Sequence, residues 1–440
     1  MAPTNEAVAA LLREYAELLV MTGGDQFRAR NYEKAAKAVA GYPDDIGALP
    51  DAALTKIAGV GSSIAGKIAE YRRTGTIAAL DDLRAKIPPG VLEIAKVPGL
   101  GPKKALQLNR ELGIVTLSDL EDAVREGRLQ RLSGFGGKTE ERILRGISVI
   151  TRDAALRDAL RALPPGADED QIETVLAENT GLAAQLEITA TSEIGRSHGL
   201  VRTKDLRGDL HTHTNLTDGV ASLEEMIAAA KALGYAYYAV TDHAPNLVMQ
   251  RMTDEKMLAQ RAEVRALQET AGLTLLHGTE LNIAPDGTVD WAADFLGGFD
   301  IRVASVHSHF DQDRSAMTKR FVAAAQNPLV NIIGHPLTRK LGRRPPVDVD
   351  LDELYRVCAR TGTALEINAS PERMDLPPEH IAAAKDAGVR FAIDTDAHSL
   401  VHLRNMRYGV AAARLGGLTT AEVINTWPLE KLEEFLRKDH

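Results

Sequence analysis

Cysteine is almost absent. The 440-residue chain carries one, Cys358, which excludes an intramolecular disulfide framework and a cysteine-ligated zinc ribbon. Long apolar runs are missing too: stretches such as Met226–Ala230 and Phe321–Ala325 fall far short of the ~20 residues that a membrane span needs. The first residues, with Glu6, Glu14 and Glu17, lack the basic-then-apolar layout of a secretion signal. There is no basic excess: the net charge of −9 argues against a surface that coats nucleic acid everywhere. What is present is a globular composition, 44% hydrophobic and 26% charged, in a length that suggests two or three domains. A soluble, cytoplasmic protein without a membrane partner is expected.

The charge is uneven. Residues 1–150 hold 21 basic and 19 acidic residues, and the remainder holds 31 against 42. The first third is thus near neutral and can make local phosphate contacts, whereas the rest is acidic, as metal-binding proteins are before their cations are counted.

Three short segments in the first third resemble one another: Ile57-Ala-Gly-Val-Gly61, Val97-Pro-Gly-Leu-Gly101 and Leu132-Ser-Gly-Phe-Gly136. Their glycines, Gly59 and Gly61, Gly99 and Gly101, Gly134 and Gly136, permit a tight turn between two helices. The helix that follows offers unpaired N–H groups and the positive end of its dipole, a setting for phosphate. Lys103, Lys104 and Lys138 follow the second and third turns and add contacts that do not read sequence. This is the helix-hairpin-helix pattern, and it marks 1–150 as an all-α DNA-binding region.

The stretch Phe27-Arg-Ala-Arg-Asn-Tyr-Glu-Lys-Ala-Ala36, followed by Gly59-Val-Gly61 and Lys67, resembles the N-terminal lyase domain of family-X DNA polymerases. That resemblance implies binding of gapped DNA through its 5′ phosphate. It places Lys67 where members with lyase activity form a Schiff base, a role that requires a neutral amine. Ser63 stands where some members carry a phosphate-binding lysine, and Lys67 also suits an ordinary solvated helix lysine. The polymerase palm is not expected. Only residues 151–205 separate the hairpins from the next domain, too few for palm and thumb. Asp168 and Asp170 form a D-x-D pair, but their setting reads as a helix cap. The segment 151–205 is expected as a connector or palm remnant, with a strand at 186–190.

From Leu206 onward strands and helices alternate. Strands are expected at Asp209–His213, Tyr237–Thr241, Leu273–Gly278, Arg302–Val306, Asn331–Gly334, Ala364–Asn368 and Arg390–Asp394, with helices between them, which suggests a parallel sheet or barrel. Ligand-type residues recur where strands end: His211, His213 and Asp218, then His243, Glu280, His307, His335, Asp396 and His398. Residues i and i+2 of a strand share a face, so His211 with His213, and Asp396 with His398, can point inward together. Nine candidates exceed what one ion takes, and the imidazole–carboxylate mixture suits Zn, Mn or Fe. Asp209 and Asp394 are expected to orient ligands, and Asn368 to bind a phosphate oxygen or support its strand. Arg339, Arg343 and Arg344, on the loop after His335, suit either a phosphate clamp or a solvated basic loop. His309 is a possible inward neighbour of His307, and His277 is expected to be packed or solvated.

The motifs DLHTHT, TDH, GTE, SVHS, GHP and DTDAH over residues 206–440 resemble the PHP (polymerase and histidinol phosphatase) superfamily, especially the PHP domain attached to bacterial family-X polymerases. The resemblance implies a distorted (β/α)7 barrel with three divalent ions, manganese first and zinc close behind. It assigns His211, His213, Glu280 and Asp396 to one ion. A bridging Glu280 with His307 and His335 would hold the second, and Asp218, His243 and His398 the third. The implied reaction is phosphoester hydrolysis by a metal-bound hydroxide. Joined to hairpins, it suggests a 3′→5′ exonuclease or 3′-end processing enzyme of DNA repair, acting on gapped, nicked or 3′-ended DNA. A small-molecule phosphatase of the histidinol-phosphate type and a non-catalytic DNA-end-binding scaffold are the alternatives.

Overall fold

The computed structural model describes residues 5–42, 44–88, 90–135, 137–164, 166–180, 199–247 and 251–438. It divides into two compact units, Met1–Thr151 and Arg152–His440. The first is all-α. Helices Asn5–Met21 and Gln26–Ala40 repeat apolar residues at helical spacing, and Val8, Leu12, Ala35, Ala36 and Val39 are buried. Asp25 caps the second helix by accepting the Phe27 N–H at 2.8 Å.

The first two glycine turns form as expected, and the third is described as far as Phe135. The first leads into Ser62–Thr74, the second into Gly101–Leu112 and the third into Gly137–Ala162. Gly59, Gly99 and Gly134 have φ of 78°, 81° and 87°, where an L side chain is strained. Gly61 differs. Its φ is −75° at the N-cap of Ser62–Thr74, so backbone freedom is not why a glycine stands there. A Cβ at Gly61 would meet nothing within 4 Å, and its absence leaves the helix N-terminus open. Gly136 and the side chain of Lys138 lie outside the described residues.

The second unit begins inside the helix Gly137–Ala162. The segment expected as a connector is therefore partly built into the second unit. Leu156 and Leu160, with Ile172 and Leu176 of helix Glu169–Thr180, are buried in the core that underlies the barrel. Asp168 accepts the Gln171 N–H at 2.9 Å, and Asp170 pairs with Arg414 at 2.8 Å. The D-x-D pair thus serves a helix start and an ion pair. The strand expected at 186–190 lies outside the described residues.

Seven parallel strands follow in chain order: β1 Gly208–Asp209, β2 Tyr237–Val240, β3 Thr274–Asn282, β4 Ile301–Ser305, β5 Ile332–Ile333, β6 Ala364–Asn368 and β7 Phe391–Asp394. β2, β4, β6 and β7 are buried at every residue, as parallel strands covered on both faces must be. Side-chain caps set the helices between them. Ser222 and Glu225 form a reciprocal capping box for Leu223–Ala232, and Asp350 and Gly362 bound Leu351–Thr361. The β1 and β7 edges meet through Asp209 and Asp394. Asp394 accepts the Leu210 N–H at 2.9 Å and Asp209 the Thr395 hydroxyl at 2.5 Å. One parallel bridge, Thr212–Ala397, continues the closure, so the sheet is a nearly closed barrel. Among the described residues no helix is long and apolar enough to cross a membrane.

β1 and β5 are shorter than expected because their C-terminal residues leave the ladder for the barrel mouth. His211 and His213 still share a face, since Thr212 between them stays extended and bridged. Asp396 does not follow alternation: its φ is 51°. That turn, rather than strand periodicity, brings Asp396 and His398 to the mouth.

Candidate metal centre

Glu280, near the end of β3, is the hub of the barrel mouth. One carboxylate oxygen lies 3.4 Å from His211 Nε2, 3.5 Å from His213 Nε2 and 2.9 Å from His243 Nδ1. The other lies 3.1 Å from His307 Nε2 and 3.0 Å from His335 Nε2. Asp396 sits 3.2 Å from His213 Nε2. Asp218 lies 3.3 Å from His243 Nε2 and 3.2 Å from His398 Nε2. All nine residues singled out by the sequence converge on this mouth. The grouping is more interlocked than three separate sets. His213 has a ring nitrogen within 4.8 Å of ligand atoms from Asp218, His243 and His398 as well as those of His211 and Asp396, and His243 similarly joins Glu280 and His307.

The donor chemistry fits cations. His211 Nδ1 is 2.6 Å from Glu366, His307 Nδ1 is 2.7 Å from Asn282 Oδ1 and His398 Nδ1 is 2.7 Å from the Asp396 carbonyl. Each acceptor fixes the proton on Nδ1 and turns the Nε2 lone pair inward. Those lone pairs then face carboxylate oxygens or one another, as between His211 and His213 at 3.2 Å. Lone pairs and anionic oxygens crowded in a buried site need positive charge among them.

The electrostatics agree. Burial would raise Glu280, but His307, His243 and His211 hold it well below the usual carboxylate range. Asp396 is likewise held well below, burial being outweighed first by His211. Burial, with His398 and His243, pushes His213 down to about 4, and burial with Arg373 pushes His335 down to about 3. Burial opposes a charge on His243, yet Glu280 and Asp218 raise it to about 10. The site thus sets ionised carboxylates beside His213, His307 and His335, which burial keeps neutral. Against burial, Glu366 and Glu280 raise His211, as Glu280 and Asp218 raise His243. The carboxylates that hold protons on those two rings would equally draw a cation.

Other predicted residues fall elsewhere. Arg339, expected at a phosphate, is buried: its Nε donates to the Arg373 carbonyl at 2.9 Å and its Nη2 to the Met374 carbonyl. Arg343 is half-buried on the same loop. Arg344 donates to the Thr338 carbonyl at 2.8 Å and stacks 4.0 Å from the Phe310 ring. His309 is exposed beside Ser308, and His277 is packed on Phe299. Four residues of the site were not singled out. Glu366 and Asn282 orient ligands. Asp242 accepts the Thr214 N–H at 2.9 Å and the Gln260 amide at 2.6 Å, anchoring the loops that carry Asp218 and His243. Arg373 lies 3.4 Å from Asp396. A carboxylate between Leu365 and Ile367 in the fully buried strand Ala364–Asn368 is the signal for Glu366.

In the first unit, an open cleft of about 370 Å³ is lined by residues including Arg28, Asn31, Tyr32, Gly61 and Ser63. Lys67 lies one turn on, 3.4 Å from Ser63 Oγ and about 5.5 Å and 5.7 Å from the Tyr15 and Tyr32 rings. Lys103 is exposed, whereas Lys104 is held by the Gly99 carbonyl at 3.0 Å and by the Phe135 ring.

Comparison with known proteins follows the same division. A family model described as a PHP domain matches residues 209–370. A helix-hairpin-helix domain matches 3–77 and a SAM-like helix-hairpin-helix tandem matches 91–148. The DNA polymerase/3'-5' exonuclease PolX of Bacillus subtilis is 29% identical over 566 aligned positions, covering 98% of this chain and 99% of that protein. With 440 residues, this chain leaves at least 126 of those positions unmatched. A probable phosphatase of Shewanella sediminis is 29% identical over 241 residues, covering 52% of this chain and 93% of that protein. The histidinol phosphate phosphatase of Lactococcus lactis, solved with zinc, L-histidinol and phosphate, shows 17% identity and a TM-score of 0.33, covering 47% of this chain and 93% of that one. The chain joins helix-hairpin-helix domains to a PHP domain and belongs among the metal-dependent phosphoesterases.

Proposed function

We propose that this protein hydrolyses DNA phosphodiesters from 3′ ends, as a 3′→5′ exonuclease or 3′-end processing enzyme of repair. The observation that carries the reading is the convergence of nine donors, Glu280 among them, on one barrel mouth in a chain that also bears three glycine turns. His211, His213, Glu280 and Asp396 would hold one divalent ion. Glu280, His307 and His335 would hold a second, and Asp218, His243 and His398 a third, with Mn²⁺ the first choice and Zn²⁺ next. Bound there, such ions neutralise a phosphoryl group in transit and lower the pKa of water. The protein's own part is to hold them. Glu366, Asn282 and the Asp396 carbonyl fix imidazole tautomers, and buried walls keep bulk water from screening the charges.

Binding of gapped or nicked DNA falls to the first unit. The open helix N-terminus at Gly61, beside Arg28 and Ser63, offers N–H groups to a phosphate. Gly99, Gly101, Lys103, Lys104, Gly134, Gly136 and Lys138 would supply sequence-independent contacts. Lys67 would serve as an abasic-site lyase, and borohydride trapping of a covalent DNA adduct, lost in Lys67→Ala, tests it. No polymerase activity is expected: the Asp168/Asp170 pair is engaged in packing, and the alignment with the longer relative leaves over a hundred of its positions unfilled.

A small-phosphoester substrate is the second reading. It is favoured by relatives named probable phosphatases, two of which cover 52% of this chain and over nine-tenths of their own length. The deciding assay uses 5′-labelled gapped and single-stranded DNA with Mn²⁺, beside His211→Ala and a chelator control. A ladder of 3′-shortened products, lost in both controls, supports the DNA reading. Intact DNA with rapid cleavage of a small phosphomonoester supports the second.

A further inference from the structure

After β6 the chain turns through Ser370 and returns to pair Asp375 with Asn368. Arg373 sits in that turn. Its backbone N–H donates to the Ser370 carbonyl at 2.8 Å. Its own carbonyl, and that of Met374, accept from Arg339. The Asp375 carboxylate receives the Leu337 N–H at 3.1 Å, tying the turn to the loop after His335. The backbone of Arg373 is thus fixed from three sides, which is the support a precise side-chain placement requires.

The side chain is 14% exposed and reaches the metal centre. Its Nε lies 3.4 Å from one Asp396 oxygen, and its Nη1 is buried with no hydrogen-bond partner. Its charge bears on His307, His335 and Arg344 as well as on Asp396 and Asp375. Asp396 does not explain the arrangement. That carboxylate already meets Asn368 at 3.2 Å and His213 at 3.2 Å. A structural arginine–carboxylate pair is commonly bidentate at about 2.7–2.9 Å, not a single longer contact that leaves a buried N–H unmatched. Arg344 adds a second guanidinium nearby, already committed to the Thr338 carbonyl and the Phe310 face. A guanidinium at the edge of a cation-binding site, with a buried N–H that none of these side chains matches, suits an anion.

We infer that Arg373 is a phosphate-binding residue of this centre, offering its unmatched N–H to a non-bridging oxygen of the substrate phosphoryl group, with Arg339 as the positioning residue beneath it. The inference rests on the phosphoesterase reading and adds the residue that would grip the group being cleaved. A planar fork suits a tetrahedral oxyanion better than an ammonium does, and a fixed cation where charge develops costs no reorganisation during reaction.

The test uses the full chain loaded with Mn²⁺ and the variants Arg373→Gln, Arg373→Ala and Arg373→Lys. Metal content is read by elemental analysis, and binding of thymidine 5′-monophosphate by calorimetry. Hydrolysis of its p-nitrophenyl ester is followed alongside. The expected result is unchanged metal content and melting temperature in the Gln and Ala variants. Nucleotide Kd rises at least tenfold, kcat/KM falls further, and Lys recovers part of the affinity. Loss of metal with unchanged nucleotide affinity in the loaded fraction overturns the inference, because Arg373 would then serve Asp396. Unchanged binding and turnover in all variants also overturns it and leaves the phosphoesterase reading standing. A metal-loaded wild type that neither binds the nucleotide nor cleaves any phosphoester ends both. If Gln and Ala fail to fold, Lys decides: a several-fold loss of affinity supports the assignment and none overturns it.

Discussion

His211 lies with Nδ1 2.6 Å from one oxygen of Glu366, while the other oxygen of Glu366 accepts the backbone N–H of His335. One β6 carboxylate therefore orients residues that follow β1 and β5, on opposite sides of Glu280. Removing it frees the His211 tautomer and the His335 backbone together. Glu366→Gln is expected to weaken divalent-metal affinity roughly 10- to 100-fold, and Glu366→Ala at least as much. Mn²⁺ titration followed by electron paramagnetic resonance measures this directly. Wild-type affinity with only a lowered melting temperature would reduce Glu366 to a packing residue.

Arg339 gives a prediction of the opposite kind. It is buried, with two backbone carbonyls as acceptors and Asp153 3.9 Å away. Its loss leaves those carbonyls and a buried carboxylate unmatched. Arg339→Ala should therefore cost about 3 kcal/mol in urea unfolding, and Arg339→Lys should restore little, since one ammonium cannot reproduce the fork. A phosphate clamp would behave otherwise, with stability kept and substrate affinity lost.

That contrast marks where sequence reading succeeded and where it stopped. The nine donors were legible because each falls just past a strand end, and a βα barrel brings all such ends to one face. The glycine turns were legible because Gly59, Gly99 and Gly134 must adopt positive φ. Arg339 and Arg373 were not. They lie 34 residues apart on different loops, and which one reaches the metal centre depends on the turn after β6 folding back onto Asn368. Position in sequence made Arg339 the candidate, being four residues from His335, yet the loop buries it. Asp396 shows a similar limit: its place was expected from strand alternation and is instead produced by a left-handed backbone that no spacing reveals. The helices before the barrel look like a connector in the sequence because Leu156, Leu160, Ile172 and Leu176 find their partners only in the folded core.

His277 supplies a pH prediction away from the metal centre. It is fully buried on β3, stacked 5.2 Å from Phe299, and neither ring nitrogen has a hydrogen-bond partner. Burial first, and then Arg261, push it down to about 3, against about 6.5 unfolded. Between those values the unfolded chain takes up a proton that the folded chain refuses. The associated stability is whole above pH 6.5 and falls as pH drops, by up to about 1.4 kcal/mol per unit. Relative to His277→Leu, the wild type should lose about 2.5 kcal/mol more between pH 7.5 and 4.5, read from urea midpoints. Parallel pH profiles would show that His277 carries none of the acid sensitivity.

Gly59 and Gly61 are two residues apart in one turn and should respond to substitution in opposite ways. Gly59 has φ 78°, and a Cβ there would approach Lys34 Cγ to 3.2 Å. Gly59→Ala is therefore expected to destabilise by roughly 1–2 kcal/mol, the cost of a left-handed L residue. Gly61 has φ −75° and ψ 171° at a helix N-cap, with open space beyond it. Aspartate is among the favoured residues at such a position, because its carboxylate accepts the orphan N–H groups of the first turn. Gly61→Asp should therefore hold or raise stability by a few tenths of a kcal/mol. The same carboxylate occupies the N–H groups and puts a negative charge where a phosphate would bind. Affinity for gapped DNA, measured by fluorescence anisotropy at fixed salt, should fall at least tenfold in a protein that is no less stable. A variant that binds gapped DNA as the wild type does would separate this turn from phosphate recognition and leave only a structural reason for the pair of glycines.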